Sequence, residues 1–280
     1  WSEHSSDLSI SMEGELSMRN LSRERIDVDQ LDFSFSGDLA VTGDGLTGTL
    51  APGLVIDAKA FSLEKLRTED ARLVSGKPQS FSWNRRDGQW QFDPASYDLA
   101  AGTIRLGESI IHNSNYSLTH DSWQYPLAGQ TGFTLDGSSS SITAGTFKLA
   151  DISQKNSGSI TWPADDATLA FGIELDVNAA EMYSGAISAK DLTIRAPLLL
   201  MAGEIPGARL SEGMDLTLRD LTAGAASMED VTLRLQRQLD LMLPFGEEAL
   251  PLQGAWKLQH GALRHPAFEL EPGIIDLLFD

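Results

Sequence analysis

Apolar and polar residues alternate with a period of two along most of this chain. The clearest run has an apolar residue at every second position, at Leu169, Phe171, Ile173, Leu175 and Val177. Residues 8–18, 31–35 and 231–243 follow the same pattern with few interruptions. Successive side chains of a β-strand point to opposite faces, so the alternation predicts strands with one apolar and one polar face. The sequence therefore predicts an all-β protein.

Turn-forming residues separate the predicted strands, and helical patterns are few. Residues 43–48 read G-x-G-x-x-G, but the helix that a dinucleotide site needs does not follow, so they predict a hairpin turn. Asp87-Gly88 predicts another hairpin, with Trp83 facing Trp90 across it. Residues 178–184 and 198–205 could form short helices, and residues 138–141 are expected in a loop. No composition change marks a boundary, so residues 1–280 are expected to form a single elongated β domain.

A mainly antiparallel sheet with one apolar face has to cover that face. It can pack on a second sheet as a β-sandwich with a dry core. It can instead curl, so that the apolar face lines a groove. Such a groove could hold lipid acyl chains, whose burial contributes about 0.8 kcal/mol per CH₂ group. The alternation fits both architectures.

A five-residue motif, Asp-aliphatic-Thr-aliphatic-Arg, begins at Asp191, Asp215 and Asp230. On a strand, the Asp, Thr and Arg share one face and the two aliphatic residues share the other. Neighbouring copies are therefore predicted to pair Asp with Arg across the sheet. The copies begin 24 and then 15 residues apart, which disfavours repeat folds of fixed period and suits a meander.

Composition and charge argue against several functions. With 21 Lys and Arg against 40 Asp and Glu, the net charge of −19 disfavours binding to nucleic acid or to anionic lipid headgroups. The chain has no cysteine, and its five histidines lack metal-ligand spacing, so no metal or other cofactor is predicted. No apolar run is long enough to span a bilayer. Because the chain starts at Trp1 without a signal-like stretch, it is expected to be a fragment or segment of a longer protein.

No catalytic motif stands out, and the protein is predicted not to be an enzyme. Residues 62–65 match S-x-x-K, but the S-D-N and K-T-G motifs of the same chemistry are missing. Trp83, Trp90, Trp123 and Tyr125 could form an aromatic platform for sugars. A β-sandwich that binds or cleaves glycans is therefore the alternative function.

The strands also resemble a known family. Residues 16–21, 31–37 and 215–219 read Leu-Ser-Met-Arg-Asn-Leu, Leu-Asp-Phe-Ser-Phe-Ser-Gly and Asp-Leu-Thr-Leu-Arg. Short strands of this type are similar to the AsmA-like repeating-β-groove bridge proteins of the Gram-negative envelope, including the TamB and YdbH branches. The resemblance covers most of the chain. It implies a long U-shaped sheet with a hydrophobic interior, in the periplasm and anchored in the inner membrane through the parent protein. It also implies phospholipid transport to the outer membrane without catalysis.

The family has no catalytic residues to transfer, so the predicted site is the apolar face of the clearest strands. Lining of a lipid groove is predicted for Phe171, Ile173, Leu175, Val177, Leu192, Ile194, Leu216, Leu218, Val231 and Leu233. The alternative role of these residues is a closed core. The predicted partners are a phospholipid or another acyl-chain lipid, and an envelope protein bound at a sheet edge or at residues 273–279. A structural module for envelope assembly is a further alternative.

Overall fold

The computed structural model describes residues 8–23, 26–50, 53–63, 65–125, 129–162, 169–202, 207–242 and 254–279. All regular secondary structure in these ranges is β-strand, and the strands belong to one large antiparallel sheet. The predicted all-β, antiparallel fold is therefore confirmed. The chain divides into two compact units, residues 1–107 with 112–135 and residues 108–111 with 136–280. A single elongated domain remains a prediction.

The first unit is an antiparallel meander. Its strands are β1 (Leu8–Arg23), β2 (Ile26–Thr42), β3 (Gly45–Leu50), β4 (Val55–Leu63), β5 (Leu66–Ser75), β6 (Gln79–Asn84), β7 (Trp90–Phe92), β8 (Ala95–Leu106), most of β9 (Ser109–His120), β10 (Trp123–Tyr125) and the first part of β11 (Gly129–Ala144). β2 pairs with β1 along one edge, and with both β3 and β4 along the other. β3 and β4 lie end to end beside β2. On their other edges, β3 pairs with β6 and β4 pairs with β5.

The second unit continues in the same style. Beyond the remainder of β9 and β11, its strands are β12 (Phe147–Trp162), β13 (Leu169–Ser184), β14 (Ile187–Ala202), β15 (Gly207–Leu210), β16 (Asp215–Ala223), β17 (Ala226–Met228), β18 (Val231–Leu235), β19 (Leu239–Met242), β20 (Gly254–His260), β21 (Leu263–His265), β22 (Phe268–Leu270) and β23 (Gly273–Phe279). β13 lies between β12 and β14. β14 pairs with both β15 and β16, which lie end to end along the same edge of β14.

Both predicted hairpins are confirmed. Gly43 and Asp44 form the turn between β2 and β3, so the glycine motif is a turn and not a nucleotide loop. β6 and β7 flank the turn at Asp87, where Trp83 and Trp90 are register partners with ring centroids 6.2 Å apart.

The predicted short helices and the loop at residues 138–141 are wrong for the described residues. Residues 178–184 lie in β13, residues 198–202 in β14 and residues 138–141 in β11, while residues 203–205 lie outside the described ranges. In β14 the apolar run is paired with β13 on one side and β15 on the other. Pairing on both edges satisfies the backbone hydrogen bonds and overrides weak local preferences.

A row of bends recurs near the hairpins. Within the described ranges, seven residues other than glycine have φ between 46° and 52°, namely Asn20, Asp70, Asn113, Asp151, Asp191, Asp220 and Asp230. All are Asn or Asp, whose short polar side chains tolerate the left-handed region best. Five of them stand four residues after the first residue of β5, β9, β12, β14 or β17.

These bends change the spacing of the apolar residues from two to three. Leu149 and Ile152 both join the core across Asp151, and Ala189 and Leu192 do so across Asp191. A strictly alternating strand would place such pairs on opposite faces. The recurring bend therefore keeps both side chains on the apolar face near the hairpin.

The positive φ at Asp151 restricts which residues this position tolerates, and this can be tested by substitution. Replacing it with Val should lower the free energy of unfolding by about 1–2 kcal/mol, because a β-branched side chain is strained at positive φ. Asp151→Gly, which accepts this backbone without strain, is the matched control and should be close to neutral. Urea unfolding followed by circular dichroism measures both variants. Equal destabilisation by Val and Gly would contradict the explanation.

The core of the second unit lies on its apolar face. Ile152 and Leu192 are each 2% exposed, and Leu235 is fully buried. A flat single-layered sheet leaves one side of each side chain open to water, so such burial requires side chains from strands beyond the immediate neighbours. The larger cluster is formed by Leu149, Ile152, Ala179, Ala189, Leu192, Leu218 and Val231. A smaller cluster is formed by Leu235, Leu239 and Trp256.

Candidate functional site: the apolar face of the sheet

All ten predicted groove residues lie on one face of the second unit. β13 carries four of them at alternate positions, and β14, β16 and β18 carry two each. In register across the strands, Val177 pairs with Ile194, Ile194 with Leu216, and Leu216 with Leu233. Leu218 pairs with Val231 in the next row. The structure therefore brings the predicted residues together, while their role as groove lining remains a prediction.

The ten residues fall into two groups that differ in burial. Leu192, Leu218 and Val231 are buried in the larger core cluster near the bends. The other seven are only partly buried, and they are Phe171, Ile173, Leu175, Val177, Ile194, Leu216 and Leu233. Around Leu192 the face is thus a closed core, as the alternative role expected, and around Leu235 and Trp256 it is closed again, whereas the rows of Ile173 and Leu216 are only partly buried.

Sequence reasoning missed several members of this face. Leu198 and Leu210 share a row with Ile173, and Leu200 shares the next row with Phe171. Leu258 extends the row of Leu233. The β14 residues were missed because residues 198–201 are all apolar, which hides the period of two. The antiparallel pairing to β13 is the information that separates the two faces there.

The opposite face of the second unit carries ion pairs. Nε of Arg234 on β18 lies 2.6 Å from Oδ1 of Asp215 on β16, and Arg219 contacts Asp191. The predicted pairing of Asp with Arg between copies of the motif is therefore confirmed. The copies differ in their backbone, because Asp191 and Asp230 have positive φ, whereas on β16 the bend falls at Asp220.

Hydrogen bonds and charges on the polar faces lower the pKa values of two carboxyl groups, those of Asp32 and Asp240. The hydroxyl of Ser17 and the amide of Gln30 donate to Asp32 and hold its carboxyl pKa below the usual value. Arg209 lowers the pKa of Asp240 in the same way, through a contact of 2.6 Å. A lowered carboxyl pKa stabilises the fold above the unfolded-state pKa, and this contribution is lost as the pH falls through the folded-state value. These hydrogen bonds and ion pairs therefore support the sheet.

The Asp32 arrangement can be tested by titration. Ser17→Ala removes the hydroxyl that lies 2.6 Å from Oδ1 of Asp32, so the Asp32 pKa should rise towards its usual value. Carboxyl ¹³C chemical shifts followed against pH measure the change. Ser34→Ala, two residues further along β2, is the control and should leave the Asp32 titration in place. An unchanged pKa in Ser17→Ala would contradict the assignment.

The first unit also has an apolar face, which changes character along its rungs. Near the bends, an aliphatic row runs through Met18, Leu31, Ala58, Ala71 and Ala101. The next row is aliphatic except for Phe33 and runs through Leu16, Phe33, Ile56, Leu73 and Leu99. At the far end of the same face, two rows end in the aromatic residues Trp83, Trp90 and Tyr125, and Phe81, Phe92 and Trp123. These six residues are called the aromatic end.

Ring contacts hold the aromatic end together. The ring of Trp123 stacks on Phe92, with centroids 4.1 Å apart and planes 11° apart. Phe81 covers Gly48, where a Cβ atom would overlap its ring. Much of the ring surface that was predicted as a sugar platform is therefore used in packing. Tyr125 is the exception, with 56% of its surface exposed.

The polar face of the first unit holds a concavity of about 500 Å³. Its lining consists mainly of hydroxyl and carboxyl residues, including Ser9, Asp38, Thr49, Ser80 and Asp93. Two hydrogen bonds, between Ser11 and Asp38 and between Thr49 and Ser80, cross it. These groups already bind one another, and none of the ten predicted groove residues lines the concavity.

The proposed docking segment at residues 273–279 forms β23, which pairs with β20. Ile275 and Leu277 continue the apolar face, since they pair with Leu258 and Trp256. Ile274 and Leu278 point to the opposite face and are 59% and 68% exposed. Binding of a protein partner here remains a prediction.

Searches for metal and membrane features give the following results for the described ranges. They contain no group of three or more His, Asp or Glu side chains that could hold a metal ion. They also contain no helix with the length and hydropathy needed to cross a membrane.

Comparison with known proteins was made at the levels of family, sequence and structure. No protein-family model, curated protein or solved structure matches this chain.

Proposed function

We propose that the chain binds the acyl chains of phospholipids along its apolar face and conducts them between the inner and outer membranes of a Gram-negative envelope, without catalysis. The observation that carries this proposal is the apolar face of the second unit. It extends in register over β13, β14, β16, β18, β20 and β23, and seven of its ten predicted residues are only partly buried.

The chemistry of the face supports an alkyl ligand. Its rows away from the bends consist mainly of Leu, Ile, Val and Phe, and each CH₂ group transferred from water to such a surface contributes about 0.8 kcal/mol. A soluble monomer rarely leaves a large contiguous apolar surface uncovered unless the surface has a binding role. An acyl chain is flexible, and its length suits a surface that continues across many strands.

The first unit adds further accessible apolar surface. On β1, the side chains of Leu8, Ile10, Met12 and Leu16 share one face and are between 38% and 54% exposed. Their partners across the sheet include Val41, Leu39 and Phe33 on β2. These contacts support a ligand-binding face within this unit too.

Mass spectrometry of the purified chain tests the proposal directly. The protein, expressed in a Gram-negative host, should carry phospholipid in about molar amounts, detected in native spectra and after solvent extraction. Ile173→Asp places a charge on the apolar face, and burial of an unpaired charge is strongly unfavourable. This variant should remain folded, because Ile173 is partly exposed, and it should lose the lipid.

Ala170→Asp is the matched control. It adds the same charge to the same strand but on the opposite face, since Ala170 stands an odd number of residues from Ile173. It should retain the lipid. A folded wild-type chain that carries no phospholipid would overturn the proposal, and so would equal loss in both variants. Circular dichroism and the urea midpoint establish that each variant is folded.

A further inference from the structure

The aromatic end divides the apolar face of the first unit into two chemically different parts. Along β2, the positions on this face are Val41, Leu39, Gly37, Phe35, Phe33 and Leu31. The first two belong to the aromatic rows, because Val41 leads through Leu46 to Trp83, and Leu39 leads through Gly48 to Phe81. The rows of Phe33 and Leu31 are mainly aliphatic. The tryptophan rings lie at one end of this face, whereas Phe33 and Phe35, whose ring centroids are 5.4 Å apart, lie in its mainly aliphatic part.

The aromatic end differs from the remainder of the face in its polar atoms. Trp83, Trp90 and Trp123 each carry an indole N–H, and Tyr125 carries a phenolic O–H. Within the part of the chain that the structure describes, these four donors have no hydrogen-bond partner, and the residues are partly or largely exposed. Trp and Tyr with this combination of an apolar ring and a free donor concentrate at the headgroup level of lipid bilayers.

The spacing along β2 matches the length of a lipid chain. Four residues separate Leu39 from Phe35, which is about 13 Å at a strand rise of about 3.3 Å per residue. The hydrocarbon of one bilayer leaflet is about 15 Å deep, half of a core of about 30 Å. A chain whose ester lies at the row of Leu39 and Trp123 would therefore place its terminal methyl near Phe35.

We infer that the aromatic end holds the ester and headgroup level of a bound zwitterionic glycerophospholipid, with its acyl chains extending along β2 as far as Phe35. This inference rests on the proposed function and adds an orientation to it. The free donors of the aromatic end meet the ester carbonyls, and the aliphatic rows meet the alkyl chains. The net charge of −19 favours a zwitterionic over an anionic headgroup.

Fluorine NMR of the intact chain labelled with 5-fluorotryptophan tests the orientation. Single Trp→Phe variants assign the resonances, and Phe35→Trp adds a reporter in the aliphatic part. The probes are two phosphatidylcholines with a paramagnetic doxyl group, either near the ester or near the terminal methyl. The probe labelled near the ester should broaden the Trp123 resonance at least about twofold more than the probe labelled near the terminal methyl does, because the two labels are separated by about 13 Å. The Phe35→Trp resonance should show the reverse order.

Gln91→Trp supplies a control on β7, because residue 91 lies between Trp90 and Phe92 but points to the polar face. It should be broadened less than Trp90 and Trp123 by the probe labelled near the ester. If Phe35→Trp does not fold, Phe33→Trp on the same face replaces it.

The outcomes separate the orientation from the proposed function. Broadening of Trp123 and of the aliphatic reporter by both probes to the same extent overturns the inferred orientation while supporting lipid binding, and so does the reverse order. The absence of broadening at every reporter on the apolar face, with a folded protein, overturns the orientation and the lipid-binding proposal together.

Discussion

Leu192→Ala should lower the free energy of unfolding by about 2–5 kcal/mol, because it removes a core side chain that cannot be replaced by water or by its neighbours. Leu192 is 2% exposed and belongs to the larger cluster, together with Ile152, Leu218 and Val231. The range reflects how far the surrounding strands can move into the cavity. Urea unfolding at equilibrium, followed by circular dichroism, measures the loss.

Leu270→Ala is the control for this prediction. It has the same chemistry in the same unit, but Leu270 on β22 is 46% exposed. Its effect should stay within about 0.5 kcal/mol, as for most surface substitutions. A loss in Leu192→Ala as small as that of the control would mean that the apolar face near the bends is open to water, contrary to the observed burial.

Where the alternation is clean, the period of two was sufficient to predict a strand and its two faces. On β13, Phe171, Ile173 and Leu175 alternate with small or charged residues, and this pattern has one simple explanation, a half-buried strand. The strand order could not be read from it. The ten predicted residues share a face only because the meander pairs the strands in one particular register.

The alternation of apolar and polar residues did not predict the bends at Asn and Asp residues. The motif at Asp191 and the motif at Asp215 have nearly the same letters, yet only Asp191 has positive φ. What distinguishes them is distance from a hairpin, since Asp191 is the fifth residue of β14 and Asp215 opens β16. A repeat search by letters finds the motif, whereas the structural repeat is the position of Asn or Asp after the turn.

The sequence alone could not show which parts of the apolar face are buried and which are partly exposed. Period two is the same for a groove and for a sandwich core, because it reports only which face is apolar. The described face is closed around Leu192 and partly open around Ile173. Which rows are closed depends on packing between strands that are distant in sequence, as in the cluster of Leu149, Leu192 and Val231.

Gly158→Ala should be the most damaging of the small substitutions in β12, with a loss of about 1–3 kcal/mol from overpacking. A Cβ atom at this position would overlap the backbone carbonyl oxygen of Gly172 on β13, and a backbone atom cannot rotate away as a side chain can. The two strands would have to separate beside the row of Ile173, so the apolar face would lose its register there as well.

Gly172→Ala is a matched partner on the opposing strand. Its Cβ atom would meet only the side-chain oxygen of Ser159, at 3.7 Å, which is an ordinary contact. This variant should be neutral or more stable by about 0.4–1 kcal/mol, because alanine has less freedom to lose on folding than glycine. Urea midpoints compare the two variants, and equal effects would contradict the close approach. A clear difference would show that Gly158 is needed for the strands to approach, since both substitutions add one methyl group within the same strand pair.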